Sequence, residues 1–196
     1  MRVLVGCERS GIVRDAFRDR GHEAFSCDLE GVEPGGKWRD CHLYGDVLSF
    51  LGEPWDMLIA FPPCTYLCNS GVRWLERGSN KDRMLKMESA ATLFKNILNA
   101  PVERICIENP RMHKYAVEII GRRQDQTIQP WQFGHGEQKA TCLWLKNLPP
   151  LKPTDIVEGR DQRIWKMSPS EDRGILRSIT YQGIAEAMAQ QWDTES

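Results

Sequence analysis

A chain of 196 residues is long enough to bury one hydrophobic core without disulfides or structural metal ions, and short enough to be one domain. Hydrophobic residues make up 41% and charged residues 27% of the chain, which is ordinary for a soluble globular protein. The formal net charge of −1 argues against a protein that coats nucleic acid by charge alone, but is compatible with a local basic patch.

The chain begins Met1-Arg2-Val3-Leu4-Val5 and contains no run of eighteen apolar residues, so we expect a cytoplasmic protein without a membrane partner. The cysteines at positions 7, 27, 41, 64, 68, 106 and 142 are scattered and odd in number, which favours free thiols. Cys64 and Cys68 could both face a metal ion on a helix, but no second Cys or His pair with zinc spacing accompanies them. We therefore expect no metal.

Short apolar runs alternate with helical patterns in the first half of the chain, which predicts a parallel sheet covered by helices. We predict strands at residues 2–5, 23–27, 55–60 and 102–107, and helices at residues 10–20, 80–98 and 112–120.

The second half has a different pattern. Residues 126–132 and 139–145 are strand-like and are separated by Gly134-His135-Gly136, which predicts a hairpin. Residues 149–177 show little periodicity and are expected to be irregular, and a last helix is predicted at 183–192. The sequence thus predicts one α/β domain over residues 1–196, with a mainly parallel sheet, helices on both faces and a terminal antiparallel hairpin.

Chemically useful side chains follow the predicted strands, where ligands bind in open α/β sheets. Cys64 follows two prolines that fix φ, so its thiol stands at a stiff strand exit that suits a nucleophile. Glu108 ends the next strand and could protonate a ring nitrogen of a flat heterocycle if burial raises its pKa. The simpler alternatives, a structural cysteine and a solvated loop acid, stay open for each residue taken alone.

The loop from Gly6 to Gly11 joins the first strand to the first helix. Ser10 and Gly11 would let this loop approach a cofactor, and Asp28 follows the second strand where nucleotide-binding folds place an acid on ribose hydroxyls. Residues 31–37 have the spacing of a phosphate-binding P-loop, but Trp38 follows where Ser or Thr should stand. We interpret that segment as a plain turn.

Pro62-Pro63-Cys64, with Glu108-Asn109 after the next strand, resembles the Pro-Cys and Glu-Asn motifs of DNA cytosine-5 methyltransferases. The resemblance covers most of the chain and departs from the family pattern at Glu8 and Arg9, which occupy the cofactor loop. Further segments resemble later motifs in the family's order, namely Gly45-Asp46-Val47, Phe133-Gly134, Gln138-Lys139-Ala140-Thr141 and Tyr181 through Met188. The target-recognition region is reduced to about residues 148–177, as in a compact, divergent, phage-like member.

The resemblance implies a Rossmann-like methyltransferase that uses S-adenosyl-L-methionine and acts on double-stranded DNA, as a monomer in a prokaryotic or phage-infected cell. It implies that Cys64 attacks carbon 6 of a flipped cytosine, that Glu108 binds the base, and that Lys139 orients Glu108 or a phosphate. The implied cofactor-binding residues are Gly6, Cys7, Ser10, Gly11, Asp28, Leu29, Asp46, Val47, Phe61, Pro62, Ile184 and Ala185. The implied DNA-binding residues are Asn69, Arg73, Arg77, Lys81, Arg83, Arg163 and Arg173.

Two other classes of function remain open at this point. The first is a transferase of the same fold with another acceptor, such as RNA or a nucleotide, or with a modified donor. The second is a catalytically silent DNA- or nucleotide-binding protein, against which the presence of both Cys64 and Glu108 argues. A P-loop ATPase is opposed by Trp38.

Overall fold

A computed structural model describes residues 1–33, 37–69, 81–168 and 177–193 of the chain. The strands of this described part are β1 (Arg2–Gly6), β2 (Glu23–Asp28), β3 (His42–Tyr44), β4 (Met57–Ala60), β5 (Arg104–Asn109), β6 (Gln126–Ile128) and β7 (Thr141–Lys146). Its α-helices are α1 (Ile12–Arg18), α2 (Val47–Phe50), α3 (Lys81–Leu98), α4 (Lys114–Ile120), α5 (Arg163–Lys166) and α6 (Gln182–Gln191).

The strands form one sheet in the order β3-β2-β1-β4-β5-β7-β6. Strands β1 to β5 pair in parallel, whereas β7 is antiparallel to both β5 and β6. The predicted α/β fold with a mainly parallel sheet and an antiparallel terminal pair is therefore confirmed. From β1 the chain proceeds to β2 on one side and later returns to β4 on the other, which makes a topological switch point at the ends of β1 and β4.

Alternation along the buried strands divides the core between the two faces of the sheet. Leu4 lies on the face that α2, α3 and α4 cover, where the rings of Phe94 and Trp144 meet edge-on with centroids 5.0 Å apart. Val3 and Val5 lie on the opposite face, beneath α1 and α6. Helices thus cover both faces, as the sequence predicts.

The sequence does not predict strand β3 or helix α2. Strand β3 has only three residues and acquires its place by pairing with Ser26 to Asp28 of β2, so no local periodicity marks it. Helix α2 has four residues and begins at Asp46, whose side chain accepts a hydrogen bond from the backbone N–H of Leu48 at 3.0 Å. Helix α1 starts at Ile12 rather than at residue 10, because Gly11 stands before it with a left-handed φ of 73°.

Strands β6 and β7 pair as predicted, but the connection between them is not the predicted turn. Strand β6 ends at Ile128 rather than at residue 132, because Pro130 lacks an N–H donor and opens a 3₁₀ turn at Pro130–Gln132. Gly134-His135-Gly136 is not a tight hairpin turn. Residues 129–140 form a long connection that lies beside residues 155–161, through bridges from Phe133 to Asp155 and from Glu137 to Asp161.

The predicted irregular segment is irregular in its described part except for α5. In the described ranges of the chain, no helix combines the length and the apolar character needed to cross a membrane.

Candidate functional site

A cavity of about 330 Å³ lies at the carboxyl ends of β1 and β4, at the switch point of the sheet. Three segments form its walls: the loop after β1, the segment after β4, and the residues that precede α6. The lining residues are Cys7, Glu8, Arg9, Ser10, Asp28, Glu33, Phe61, Pro63, Cys64, Thr65, Ser178, Ile179 and Thr180.

The loop after β1 folds back on itself around the side chain of Glu8. Cys7 adopts a left-handed φ of 58°, and the next backbone N–H, of Glu8, donates to the carbonyl of Cys27 at 3.1 Å. The Glu8 carboxylate is buried and accepts hydrogen bonds from the backbone N–H groups of Val13 at 2.7 Å and Arg14 at 3.3 Å. Desolvation raises the pKa of Glu8 to about 7 in spite of these hydrogen bonds.

Asp28 stands at the end of β2 with its side chain fixed, since one carboxylate oxygen accepts the backbone N–H of Glu30 at 2.9 Å. Behind it, the Ser26 hydroxyl bridges the buried Arg14 guanidinium at 2.9 Å and the His42 ring at 2.8 Å. This hydrogen-bonded group joins α1, β2 and β3, and it holds the cavity wall that carries Asp28.

Cys64 follows β4 in a segment that is held in place by a hydrogen bond from the neighbouring strand. The buried side chain of Asn109 donates to the carbonyl of Pro62 at 2.8 Å, which ties the Pro-Pro segment to β5. After Cys64 the chain makes a helical turn, in which the N–H of Cys68 donates to the Cys64 carbonyl at 3.1 Å. A hydrogen bond to the thiol of Cys68, then burial and the negative charge of Glu108, raise the pKa of Cys64 well above its ordinary value.

Glu108 lies next to the end of β5, opposite Leu143 of β7. Desolvation raises the pKa of Glu108, and the ammonium of Lys139 opposes part of that increase. The Lys139 Nζ itself donates to the carbonyl of Arg177 at 2.8 Å. Glu108 and Lys139 line a narrow crevice together with Thr141, Thr180, Tyr181, Ile184 and Met188.

The start of α6 is fixed to the long connection between β6 and β7. The Tyr181 hydroxyl donates to Glu137 at 2.8 Å, and Arg163 pairs with the same carboxylate at 2.9 Å. The N–H of Gly183 donates to the His135 ring at 3.0 Å. A side chain at Gly183 would collide with the carbonyl of Phe133, so the close approach of the helix requires glycine there.

The structure brings four of the predicted cofactor-binding residues, Cys7, Ser10, Asp28 and Phe61, into the cavity wall. Beneath that wall, a Cβ on Gly6 would lie only 2.6 Å from Val47 Cγ2, which explains the glycine. The other predicted positions lie elsewhere in the described part: Gly11 at the start of α1, Leu29 exposed by 67%, Asp46 at the start of α2, Pro62 and Ala185 buried, and Ile184 in the crevice.

The predicted DNA-binding residues are only partly described. Asn69 and Lys81 are exposed on either side of residues 70–80, and the Arg83 guanidinium lies 5.3 Å from the Tyr66 ring centre. Arg163 pairs with Glu137. Arg73, Arg77 and Arg173 lie outside the described residues.

Several lining residues were not singled out from the sequence. Glu33 belongs to residues 31–37, which we interpret from the sequence as a plain turn, and Ser178 to Thr180 lack any periodic pattern. Their position directly before the Tyr181 motif is the one signal that could have found the second group. In the described ranges, no set of three or more His, Cys, Asp or Glu side chains could hold a metal ion.

The strand order, the antiparallel last pair and the cavity at the switch point define a Rossmann-like α/β fold of the kind that methyltransferases have, which agrees with one similar solved structure. The chain is similar to an Escherichia coli protein described as a DNA modification methyltransferase encoded within a prophage. The TM-score is 0.53 at 13% identity, over 86% of this chain and 55% of the other. At that identity the similarity shows the fold alone.

Two further similarities are weaker. Entamoeba histolytica methyltransferase EhMeth matches with a TM-score of 0.48 and 17% identity, over 83% of this chain and 57% of the other. A DNMT2 variant from Spodoptera frugiperda matches with a TM-score of 0.41 and 12% identity, over 81% of this chain and 57% of the other. This chain therefore spans little more than half the length of each of these proteins. No protein-family model and no curated protein matches the sequence.

Proposed function

We propose that this protein transfers a methyl group from S-adenosyl-L-methionine to carbon 5 of cytosine in double-stranded DNA, with Cys64 as the nucleophile. One observation carries the proposal: Cys64 and Asp28 line the same cavity, and the charge of Glu108 acts on the Cys64 thiol. The proposed nucleophile, Cys64, and the proposed ribose-binding acid, Asp28, thus lie where such folds bind ligands, and the proposed base-binding group, Glu108, is near enough for its charge to raise the pKa of Cys64.

The cavity fits the donor in size and chemistry. Its volume of about 330 Å³ is in the range of small-molecule sites. The Asp28 carboxylate can accept hydrogen bonds from ribose hydroxyls, and Phe61 and Ser10 supply an apolar and a hydroxyl surface. When bound, S-adenosylmethionine supplies the electrophilic methyl group that carbon 5 accepts.

Cys64 and Glu108 would act as a pair on the cytosine ring. Because its pKa is raised, Cys64 rests as a neutral thiol and must release its proton to solvent as its Sγ bonds to carbon 6. Glu108, with its raised pKa, can carry the proton that ring nitrogen 3 takes up in that step, so that carbon 5 becomes nucleophilic. Carbon 5 would then bond to the methyl carbon as the bond between that carbon and the donor sulfur breaks. Loss of the carbon 5 proton to a base would expel Sγ from carbon 6, and the proton on nitrogen 3 would return to Glu108.

DNA is the acceptor that best accounts for the surroundings of the site. Carbon 6 of a stacked base is out of reach, so the target must be flipped into the cavity. Lys81 and Arg83 follow the Cys64 loop along the chain, and we propose them as phosphate contacts, with about residues 148–177 as a reduced recognition region. The description of the E. coli neighbour as a DNA modification methyltransferase supports the same acceptor.

Transfer of a labelled methyl group tests the proposal. The protein is incubated with S-adenosylmethionine labelled on its methyl group and, in parallel, with duplex DNA, RNA or free cytidine nucleotides, and the nucleosides are separated by mass spectrometry. We expect label in 5-methyldeoxycytidine alone, a loss of about 100-fold or more in Glu108→Gln, and no change in Cys41→Ser, whose thiol is not in the described cavity wall. Label in RNA or in nucleotides, or in no acceptor, would contradict the proposal.

A further inference from the structure

We infer that the Glu8 carboxylate makes the donor cavity selective for positive charge, so that it binds the sulfonium donor in preference to the neutral demethylated product. The inference rests on the proposed function, because it assumes that the cavity holds a donor of that class. It assigns a role to Glu8, which the resemblance identifies only as a departure from the family pattern.

The position of Glu8 is the first step of the argument. Its side chain is 4% exposed and accepts the N–H groups of Val13 and Arg14, the free donors at the start of α1. In many nucleotide-binding loops such N–H groups are left for an anion of the ligand. Here these N–H groups already donate to the Glu8 carboxylate, so a phosphate or carboxylate of a ligand would be repelled by its negative charge.

The rest of the cavity wall adds to that negative charge. Asp28 and Glu33 line the cavity with Glu8. Arg9 also lines it, but its guanidinium is paired with Glu30 at 2.5 Å. A cationic ligand therefore gains Coulomb energy in this cavity that a neutral ligand of the same shape does not.

Transfer of the methyl group changes the charge of the donor. S-adenosylmethionine carries a sulfonium as well as the ammonium and carboxylate of its methionine part, and it leaves as a thioether without the sulfonium charge. A wall that attracts the sulfonium thus holds the donor before transfer and releases the product after it. The same wall disfavours nucleotides, whose phosphates are anionic.

The charge of Glu8 also predicts how binding depends on pH. Desolvation raises the pKa of Glu8 to about 7, so its carboxyl group is mostly protonated at pH 6 and mostly ionised at pH 8. A bound cation favours the ionised form, so affinity for cationic ligands should rise through pH 7, with release of a proton. In the described part of the chain, the charged or titratable groups near Glu8 include Arg14 and Asp15 of α1, Cys27 and Asp28 of β2, and Cys7, Arg9, Glu33 and Cys64 of the loops.

Calorimetric titration with three adenosine ligands tests the inference. The ligands are S-adenosylmethionine, the neutral product S-adenosylhomocysteine, and sinefungin, in which a protonated amine replaces the methylsulfonium. At pH 8 we expect both cations to bind about tenfold more tightly than the product, and this preference to shrink at pH 6. Glu8→Gln should lose most of the preference and its pH dependence. Glu23→Gln, at the opposite end of β2 from Asp28, makes the same charge change and should retain both.

Each outcome has one meaning. Equal affinity for the cations and the product, or an unchanged preference in Glu8→Gln, would overturn the inference and leave the proposed function standing. Failure of all three ligands to bind would overturn both. If Glu8→Gln does not fold, the pH dependence in the unmodified protein decides: a preference for cations that stays constant between pH 6 and 8 would overturn the assignment to Glu8.

Discussion

Replacing Glu8 with glutamine should change the pH dependence of folding as well as that of binding. Folding raises the pKa of Glu8 from 4.5 to about 7. Between these two values the folded chain binds more protons than the unfolded chain, so its free energy of unfolding falls as the pH rises. A difference of about 2.5 pH units, at 1.36 kcal/mol per unit, corresponds to about 3 kcal/mol lost between pH 4.5 and pH 8.

Urea denaturation of both proteins at a series of pH values measures this loss. Glutamine keeps an oxygen that can accept the N–H of Val13 but has no charge to desolvate, so Glu8→Gln should gain stability relative to the unmodified protein as the pH rises. The exposed Glu88 on α3 provides Glu88→Gln as a control for the change in net charge. A difference between the unmodified protein and Glu8→Gln that stays constant from pH 5 to pH 8 would refute the reasoning.

Two further predictions concern the Cys64 loop. Asn109→Ala removes the buried hydrogen bond to the Pro62 carbonyl. We expect the free energy of unfolding, measured by urea denaturation, to fall by about 1–3 kcal/mol, and methyl transfer to become slower. Unchanged stability would show that this hydrogen bond does not hold the Pro-Pro segment to β5. Cys68→Ala removes a neighbour that raises the pKa of Cys64, so iodoacetamide should alkylate Cys64 faster at pH 8, as followed by mass spectrometry. An unchanged or slower rate would show that Cys68 does not keep Cys64 protonated.

The sequence predicts the central strands because their apolar runs are long and rich in Val, Ile and Leu. It does not predict β3, since His42-Leu43-Tyr44 has no periodicity and pairs only because β2 offers an open edge. The end of β6 could have been predicted from Pro130, but the long connection after it could not, because bridges from residues 133 and 137 to residues 155 and 161 hold that connection in place. Such contacts depend on tertiary structure and leave little local pattern.

The candidate site, too, has residues that the sequence predicts and residues whose positions depend on tertiary structure. That Cys64, Asp28 and Ser10 share one cavity follows from the rule that ligands bind at the carboxyl ends of parallel strands, together with correct strand predictions. The sequence does not predict the direction of the Glu8 side chain, because that direction depends on backbone N–H groups at the start of α1, which begins at Ile12 rather than at the predicted residue 10. The contact between Tyr181 and Glu137 joins residues 44 apart in sequence and has no sequence signal.

Trapping of the covalent intermediate tests the central claim about Cys64 most directly. Duplex DNA that contains 5-fluorocytosine blocks loss of the carbon 5 substituent, so the sulfur–carbon bond should persist after methyl transfer. With S-adenosylmethionine present, we predict a denaturant-stable protein–DNA adduct whose peptide map places the bond at Cys64, and no adduct with Cys64→Ser. An adduct at another residue, or methyl transfer to DNA by Cys64→Ser at the rate of the unmodified protein, would contradict the account.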